Sequence, residues 1–171
     1  MNGTRLTGHW QRVFRKLQKA QRGAKGHLHK TVMREAVRLS DNIKLNLTQS
    51  GQLIGKPFLP NAEATIQRKK SSKPLIDSGD LRNAIMPHRL DSKRILVGIG
   101  GQARGKHSKS KGVGAYVAHY ARVQEFGAVV TSKSGKAVWI PARPFLRPVA
   151  EYTRNQRCKR LKKQLHELFQ G

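Results

Sequence analysis

The sequence predicts an α+β fold, a small antiparallel β-sheet packed by long N-terminal and C-terminal helices. Three observations carry this. Both ends show apolar residues at helical spacing on otherwise basic segments, the middle holds a β-branched run closed by glycine, and two further short strands are joined by a four-residue turn as an antiparallel hairpin. At 171 residues the chain reads as a single domain, 1–171. Within it lie basic helical elements at 1–50 and 148–171 and a mobile basic loop at 101–114.

From the N-terminus, Trp10, Val13, Phe14 and Leu17 fall at i, i+3, i+4 and i+7, the spacing of one helix face, and Gly23 is the expected stop. A second helical stripe follows Gly26, through Leu28, Val32, Ala36, Leu39, Ile43 and Leu47, with Gly51 as its stop. Pro57 and Pro60 then bring the chain to the surface, and "NAEATIQRKK" is suited to a short helix. In "KPLIDSGDLRNAI", Asp77 or Ser78 is expected to cap a helix, Gly79 to allow the tight turn into it, and Asp80 to meet the helix dipole. That helix is two turns long and ends at Pro87, so it needs packing to persist. Leu75, Ile76, Leu81 and Ile85 are therefore its expected core anchors.

"RILVGIG" reads as a strand, and "GQARGKHSKSKGVG" after it as the mobile loop. "YVAHYARVQEFG" is suited to a short helix with Tyr116, Tyr120 and Val123 on one side, closed by Gly127. "AVVT" and "AVWIPA" form a hairpin across "SKSG". Pro148 opens the final helix, whose stripe is Leu161, Leu165 and Leu168.

Charge is the outlying property. The chain has 35 Lys and Arg against nine Asp and Glu, a net +26. A compact body with that charge repels itself unless a polyanion or an acidic partner lies close. The candidate contacts for DNA or an acidic partner are Arg104, Lys106, Lys109 and Lys111 in the loop, Arg12, Arg15, Lys16 and Lys19 near the start, and Arg157, Arg160 and Lys163 near the end. The ten aromatics mostly fall within apolar patterns, so no base-reading motif accompanies the charge.

Residue patterns for catalysis are lacking. The acids are scattered, and Asp77 with Asp80 is explained by capping. No GxSxG, GxxxxGK[ST] or GxGxxG occurs, and His27 with His29 offers two ligands where a zinc site takes more. Neither cofactor nor metal is expected. The single cysteine, Cys158, rules out an internal disulfide and reads as a small apolar filler in a reducing compartment. No export signal or membrane span is visible, and no membrane partner is expected.

Three segments together resemble the tail-completion and virion-morphogenesis family of tailed bacteriophages, which includes Mu-like virion morphogenesis and head-tail joining proteins. "GKPFLPNAEATIQRKKSSKPLIDSGDLRNAI" is similar to the family's Pro-bearing segment, basic tract and Leu-Ile-Asp-Ser-Gly-x-Leu element. "HYARVQEFGA" is similar to its Tyr-Ala and Phe-Gly element, and "IPARPFLRPV" to its Ile-Pro-Ala-Arg-Pro-Phe-Leu ending.

The resemblance implies a non-enzymatic structural protein of the virion, assembled in the bacterial host cytoplasm. It would act at the neck, completing the tail and joining it to the head, as a homo-oligomeric ring, expected to be a hexamer. Its implied partners are tail terminator or tail tube proteins, neck proteins, and genomic DNA in the lumen. The family segments also imply a folding role for Leu75, Ile76, Asp77, Gly79, Leu81, Ile85, Phe126, Gly127, Pro144 and Phe145, and intersubunit contacts for Arg143 and Arg147. The competing expectation is a free nucleic-acid-binding protein without sequence preference. An enzyme such as a nuclease is weaker still, for want of a carboxylate cluster.

Overall fold

The structure, a computed structural model, describes residues 9–91, 94–100, 117–131 and 135–170. It is α+β, with helices α1 (His9–Thr48), α2 (Glu63–Lys69), α3 (Asp80–Ala84), α4 (Val117–Phe126), α5 (Arg147–Tyr152) and α6 (Arg154–Gln170). Strands β1 (Ile85–Arg89) and β2 (Ile95–Ile99) form one antiparallel pair, and β3 (Ala128–Thr131) and β4 (Ala137–Ile140) another. The expected single sheet is therefore two separate two-stranded ribbons. The mobile-loop expectation for 101–114 lies outside the described residues.

The two expected N-terminal helices are one helix of 40 residues. Gly23 and Gly26 each cost about 1 kcal/mol relative to alanine in a helix, which weakens it without ending it. Neither adopts the left-handed conformation that stops a helix, and no proline intervenes. The C-terminal half of α1 is fixed by packing, through Ala36, Leu39, Ile43 and Leu47, and propagation from a fixed segment adds one hydrogen bond per residue. N-terminal to Thr31 the helix leaves the body. Trp10, Val13, Phe14 and Leu17, which share one face, are all exposed.

The core joins Leu39, Ile43 and Leu47 of α1 to Leu81, Ala84 and Ile85, to Val117 and Ala121 of α4, and to Phe145 and Val149. Leu75 packs against it half-buried, in a left-handed conformation (φ 60°), and Ile76 is half-buried. The α3 helix is shorter than expected. Pro87 forces the residue before it into extended geometry, so the chain passes from helix to strand at Ile85, and "IMPHR" pairs with β2 (Ile85↔Ile99, Pro87↔Val97). In a two-stranded ribbon each strand keeps one free edge, where a missing N–H is tolerated. Ser40 on α1 donates to the Ile85 carbonyl, tying the long helix to this ribbon.

The N-cap of α3 is neither Asp77 nor Ser78 but Gly79, in left-handed geometry (φ 81°), while Ser78 Oγ accepts from the Asp80 amide at 3.5 Å and donates to Asp80 Oδ2 at 2.6 Å. On α4 the buried face is Val117, Ala121 and Glu125, with Tyr120 and Val123 half-buried; Tyr116 lies outside the described residues. Phe126, expected in the core, is consequently turned outward, with 71% of its surface exposed. Cys158 is exposed rather than an apolar filler. Pro148 does open the last helical stretch, which runs as α5 and α6 around Thr153, and Leu161 is half-buried.

Candidate functional site

The segments "QEFGA" and "ARPFLR" meet at a clamp built on Glu125. This side chain is buried, and Oε2 accepts hydrogen bonds from the amides of Phe145 (2.7 Å) and Leu146 (3.0 Å), while Oε1 accepts from the Arg147 amide (3.0 Å). Three consecutive N–H groups at the start of α5 are thereby satisfied by one carboxylate. An anion at a helix N-terminus is also favoured by the helix dipole. The neighbouring Gln124 carbonyl accepts from the Arg143 amide at 2.6 Å.

Arg143 closes the clamp from the other side. Its Nε donates to the Leu59 carbonyl (2.7 Å), Nη2 to the Pro60 carbonyl (2.7 Å) and Nη1 to Gln124 Oε1 (3.3 Å). Burial lowers its pKa from the ordinary guanidinium value. The intersubunit contact expected of Arg143 is thus replaced by an internal one, because its side chain is buried and its donors are engaged. Arg147 is exposed and pairs with Glu151 at 2.8 Å. Pro144 is exposed beside the buried Phe145. Gly127 permits the close approach of the two segments: at φ 73°, a Cβ there would lie 3.0 Å from the Ala142 nitrogen and 3.1 Å from the Ile140 oxygen.

Around this clamp lies a cleft of about 530 Å³, whose walls include Thr65, Arg68 and Lys69 of α2, Asp77 and Asp80, Tyr120, and Trp139 of β4. Its chemistry is mixed, with cations and carboxylates facing aromatic surface. Burial pushes the Tyr120 hydroxyl up to about 12, assisted by Asp80, so it stays protonated as a donor. Burial lowers the Lys69 ammonium, with Asp77 opposing that shift. Among the described residues no group of three or more His, Cys, Asp or Glu is placed to hold a metal ion.

The β3–β4 ribbon stands beside the cleft with apolar residues on both faces. Val129 (62% exposed) pairs with Trp139 (67% exposed), and Val130 pairs with Val138, both also exposed. Phe126, two residues before β3 begins, is exposed as well.

The cationic candidates divide. Arg12, Arg15, Lys16 and Lys19 are exposed on the projecting part of α1 and line one shallow groove there. Lys163 is exposed on α6. Arg160 is consumed internally: its guanidinium grips buried Glu35, Nη2 donating to Oε2 at 2.7 Å and Nε to Oε1 at 2.9 Å and Oε2 at 3.1 Å, with Arg38 donating a further bond to Oε1. The Arg160 hydrogen bond holds the Glu35 carboxyl below its ordinary range, against burial. Arg157 is half-buried and donates to the Ala150 carbonyl. Arg104, Lys106, Lys109 and Lys111 lie outside the described residues.

Glu125 and Glu35 are the functional side chains that spacing did not reveal. Their one signal was rarity, since a chain with nine acids and 35 cations that keeps a carboxylate inside a helix gives it a specific partner. Comparison of the chain with protein-family models, curated proteins and solved structures returns no match.

Proposed function

We propose that this chain is a non-enzymatic structural subunit of a tailed-phage virion, acting at the neck where tail and head are joined. It works as a homo-oligomeric ring, with its cationic faces towards DNA or acidic neighbours.

The observation that carries this is the projecting β3–β4 ribbon. A two-stranded ribbon is marginal by itself. This one exposes Val129 and Trp139 on one face, Val130 and Val138 on the other, and Phe126 at its base. Apolar surface exposed on both faces of a ribbon, on a chain otherwise crowded with lysine and arginine, is suited to coverage by a neighbour, and it is a part of the surface that like charge does not block. The three segments of the family resemblance also meet in space through Glu125 and Arg143, as parts of one structural unit do.

The test is sedimentation of the full-length chain, alongside fractionation of the particles it is produced with. Assembly into a discrete multimer, its loss on Trp139→Glu, and recovery of the chain in purified particles are expected. A lone monomer that is absent from particles, or one that binds polyanions without assembling, overturns the proposal.

A further inference from the structure

The projecting part of α1 carries a second unpartnered surface, on a different side of the chemistry from the ribbon. Trp10, Phe14, Leu17, Gln21, Ala24 and Leu28 follow one another at alternating spacings of four and three. This is the 3.5-residue period of a coiled-coil seam, sustained over about three heptads. The seam is open: Trp10 is 54%, Phe14 51% and Leu17 60% exposed. From Trp10 to Leu28 it runs about 27 Å along the helix, at a rise of 1.5 Å per residue, with Ala24 half-exposed.

What covers it is decided by where the charges lie. With Phe14 at heptad position a, Arg12 and Lys19 fall at f, Arg15 and Arg22 at b, and Lys16 at c, all on the side away from the seam. The e and g positions that border a seam hold Gln11, Gln18, Val13 and His27, with Lys25 as their one fixed charge. Bordering positions set partner choice in coiled coils through their charges. Apart from Lys25 they are uncharged, in a stretch whose other surfaces are cationic.

An acidic-rimmed groove would meet glutamines along its rim and find the cations on the far side. A lipid surface favours a broad apolar face bordered by lysines that reach the headgroups. This seam is narrow, and its cations are centred opposite to it. Nucleic acid would leave the apolar stripe uncovered. Another copy of the same arm fits all three features: its seam is equally narrow, its borders are uncharged but for Lys25, and pairing turns the cations at b, c and f of both copies outward. Gln21 at an a position supplies the polar layer that fixes register in such pairs. Gly23 and Gly26 sit at c and f, where a missing side chain does not interrupt the seam.

We propose that the N-terminal arm of α1 pairs with the same arm of a second copy of this chain, seam to seam, presenting Arg12, Arg15, Lys16 and Lys19 outward as a cationic rod. This does not rest on the virion role, because it follows from the arm alone.

The test places a photo-crosslinking benzophenone side chain in the full-length protein, either at position 14 on the seam or at position 19 on the outward face. Irradiation is expected to give a covalent two-chain product from position 14 and none from position 19. Adding Leu17→Lys to the position-14 chain is expected to abolish that product. Because Leu17 is exposed, the lysine leaves folding intact, which circular dichroism checks. No product at 14, equal product at both positions, or a product that survives Leu17→Lys overturns the pairing. Vesicles of phosphatidylglycerol serve as a second probe: a blue shift of Trp10 emission in a Trp139→Phe background, without crosslinking, would assign the stripe to lipid and overturn it too. Ring formation through the ribbon is read separately from the mass of the assembly, so failure of the arm test and failure of the neck role are distinguishable.

Discussion

The Glu125 carboxylate holds the main chain of Phe145, with Oε2 accepting from its amide at 2.7 Å across twenty residues of sequence. Phe145 is fully buried and its amide is removed from water, so the bond substitutes for lost solvation. Replacement of Glu125 by alanine leaves three adjacent N–H groups without their acceptor. A loss of about 3 kcal/mol is expected, from charge-assisted bonds worth roughly 1.5–3 kcal/mol each that do not add fully. Glu125→Gln, which keeps one acceptor oxygen, is expected to lose less. Urea denaturation of both variants checks the order.

The Glu35–Arg160 pair joins α1 to α6 and makes stability depend on pH. The folded-state carboxyl is held below its ordinary value of 4.5 by the Arg160 hydrogen bond, so the unfolded chain takes up the proton first as pH falls. The stabilisation is full above about pH 4.5 and fades as pH drops through the depressed folded value. Arg160→Met should reduce this slope, Arg38 remaining as a weaker partner, and cost about 2 kcal/mol at pH 7. That is below the range for a fully enclosed pair, because Arg160 is partly exposed and Arg38 still reaches Glu35. Denaturant midpoints measured from pH 7 down to pH 3 show whether the slope shrinks in the variant.

Much of this body could be read from local pattern. The α1 stripe from Leu39 to Leu47 and the anchors Leu81 and Ile85 lie where periodicity and punctuation place them, because burial of a regular face is a local property of sequence. The misses share another cause. Glu125 occupies the buried position of α4 that an apolar residue would normally take, because its partners are amides twenty residues on, and this displaces Phe126 to the surface. Arg143 looked like a surface contact until the Leu59 and Pro60 carbonyls were brought to it by the fold. Pairings over such sequence separations leave no periodic trace.

Trp139 is expected to separate assembly from folding. It is two-thirds exposed, so Trp139→Ser should change the unfolding free energy of the isolated chain by no more than about 0.5 kcal/mol, as surface substitutions do. If the ribbon is the intersubunit surface, the same change should shift the sedimentation profile strongly towards the monomer. An unchanged profile would remove the ribbon from the interface.

Polyanion binding should distinguish free cations from engaged ones. Lys16 and Lys19 are exposed on the α1 arm, whereas Arg160 is held by Glu35. Each phosphate contact contributes roughly 0.9 to the slope of log affinity against log salt for duplex DNA. Lys16→Gln with Lys19→Gln is therefore expected to flatten that slope by up to about two, while Arg160→Gln leaves it nearly unchanged at matched fold content. Equal effects of the two changes would mean that the arm is not the contacting face. Alanines at Lys106, Lys109 and Lys111 extend the same comparison to the 101–114 segment.

Two glycines should respond in opposite directions to alanine, and the contrast tests both halves of the fold. Gly127 holds φ 73° with the Ala142 nitrogen 3.0 Å from where a Cβ would stand, so Gly127→Ala combines backbone strain with a collision against main chain that cannot swing away. A cost of about 2 kcal/mol is expected, and the variant should loosen the approach of Phe145 to Glu125 as well. Gly26 lies within α1, and nothing stands within 4 Å of a Cβ there. Alanine at Gly26 should therefore stabilise the helix by about 1 kcal/mol, through propensity alone. Helical ellipticity and thermal midpoints of the two variants measure this. A destabilising Gly26→Ala would mean that the helix breaks there, and the seam from Trp10 to Leu28 would then lose the continuity on which pairing of the arms depends.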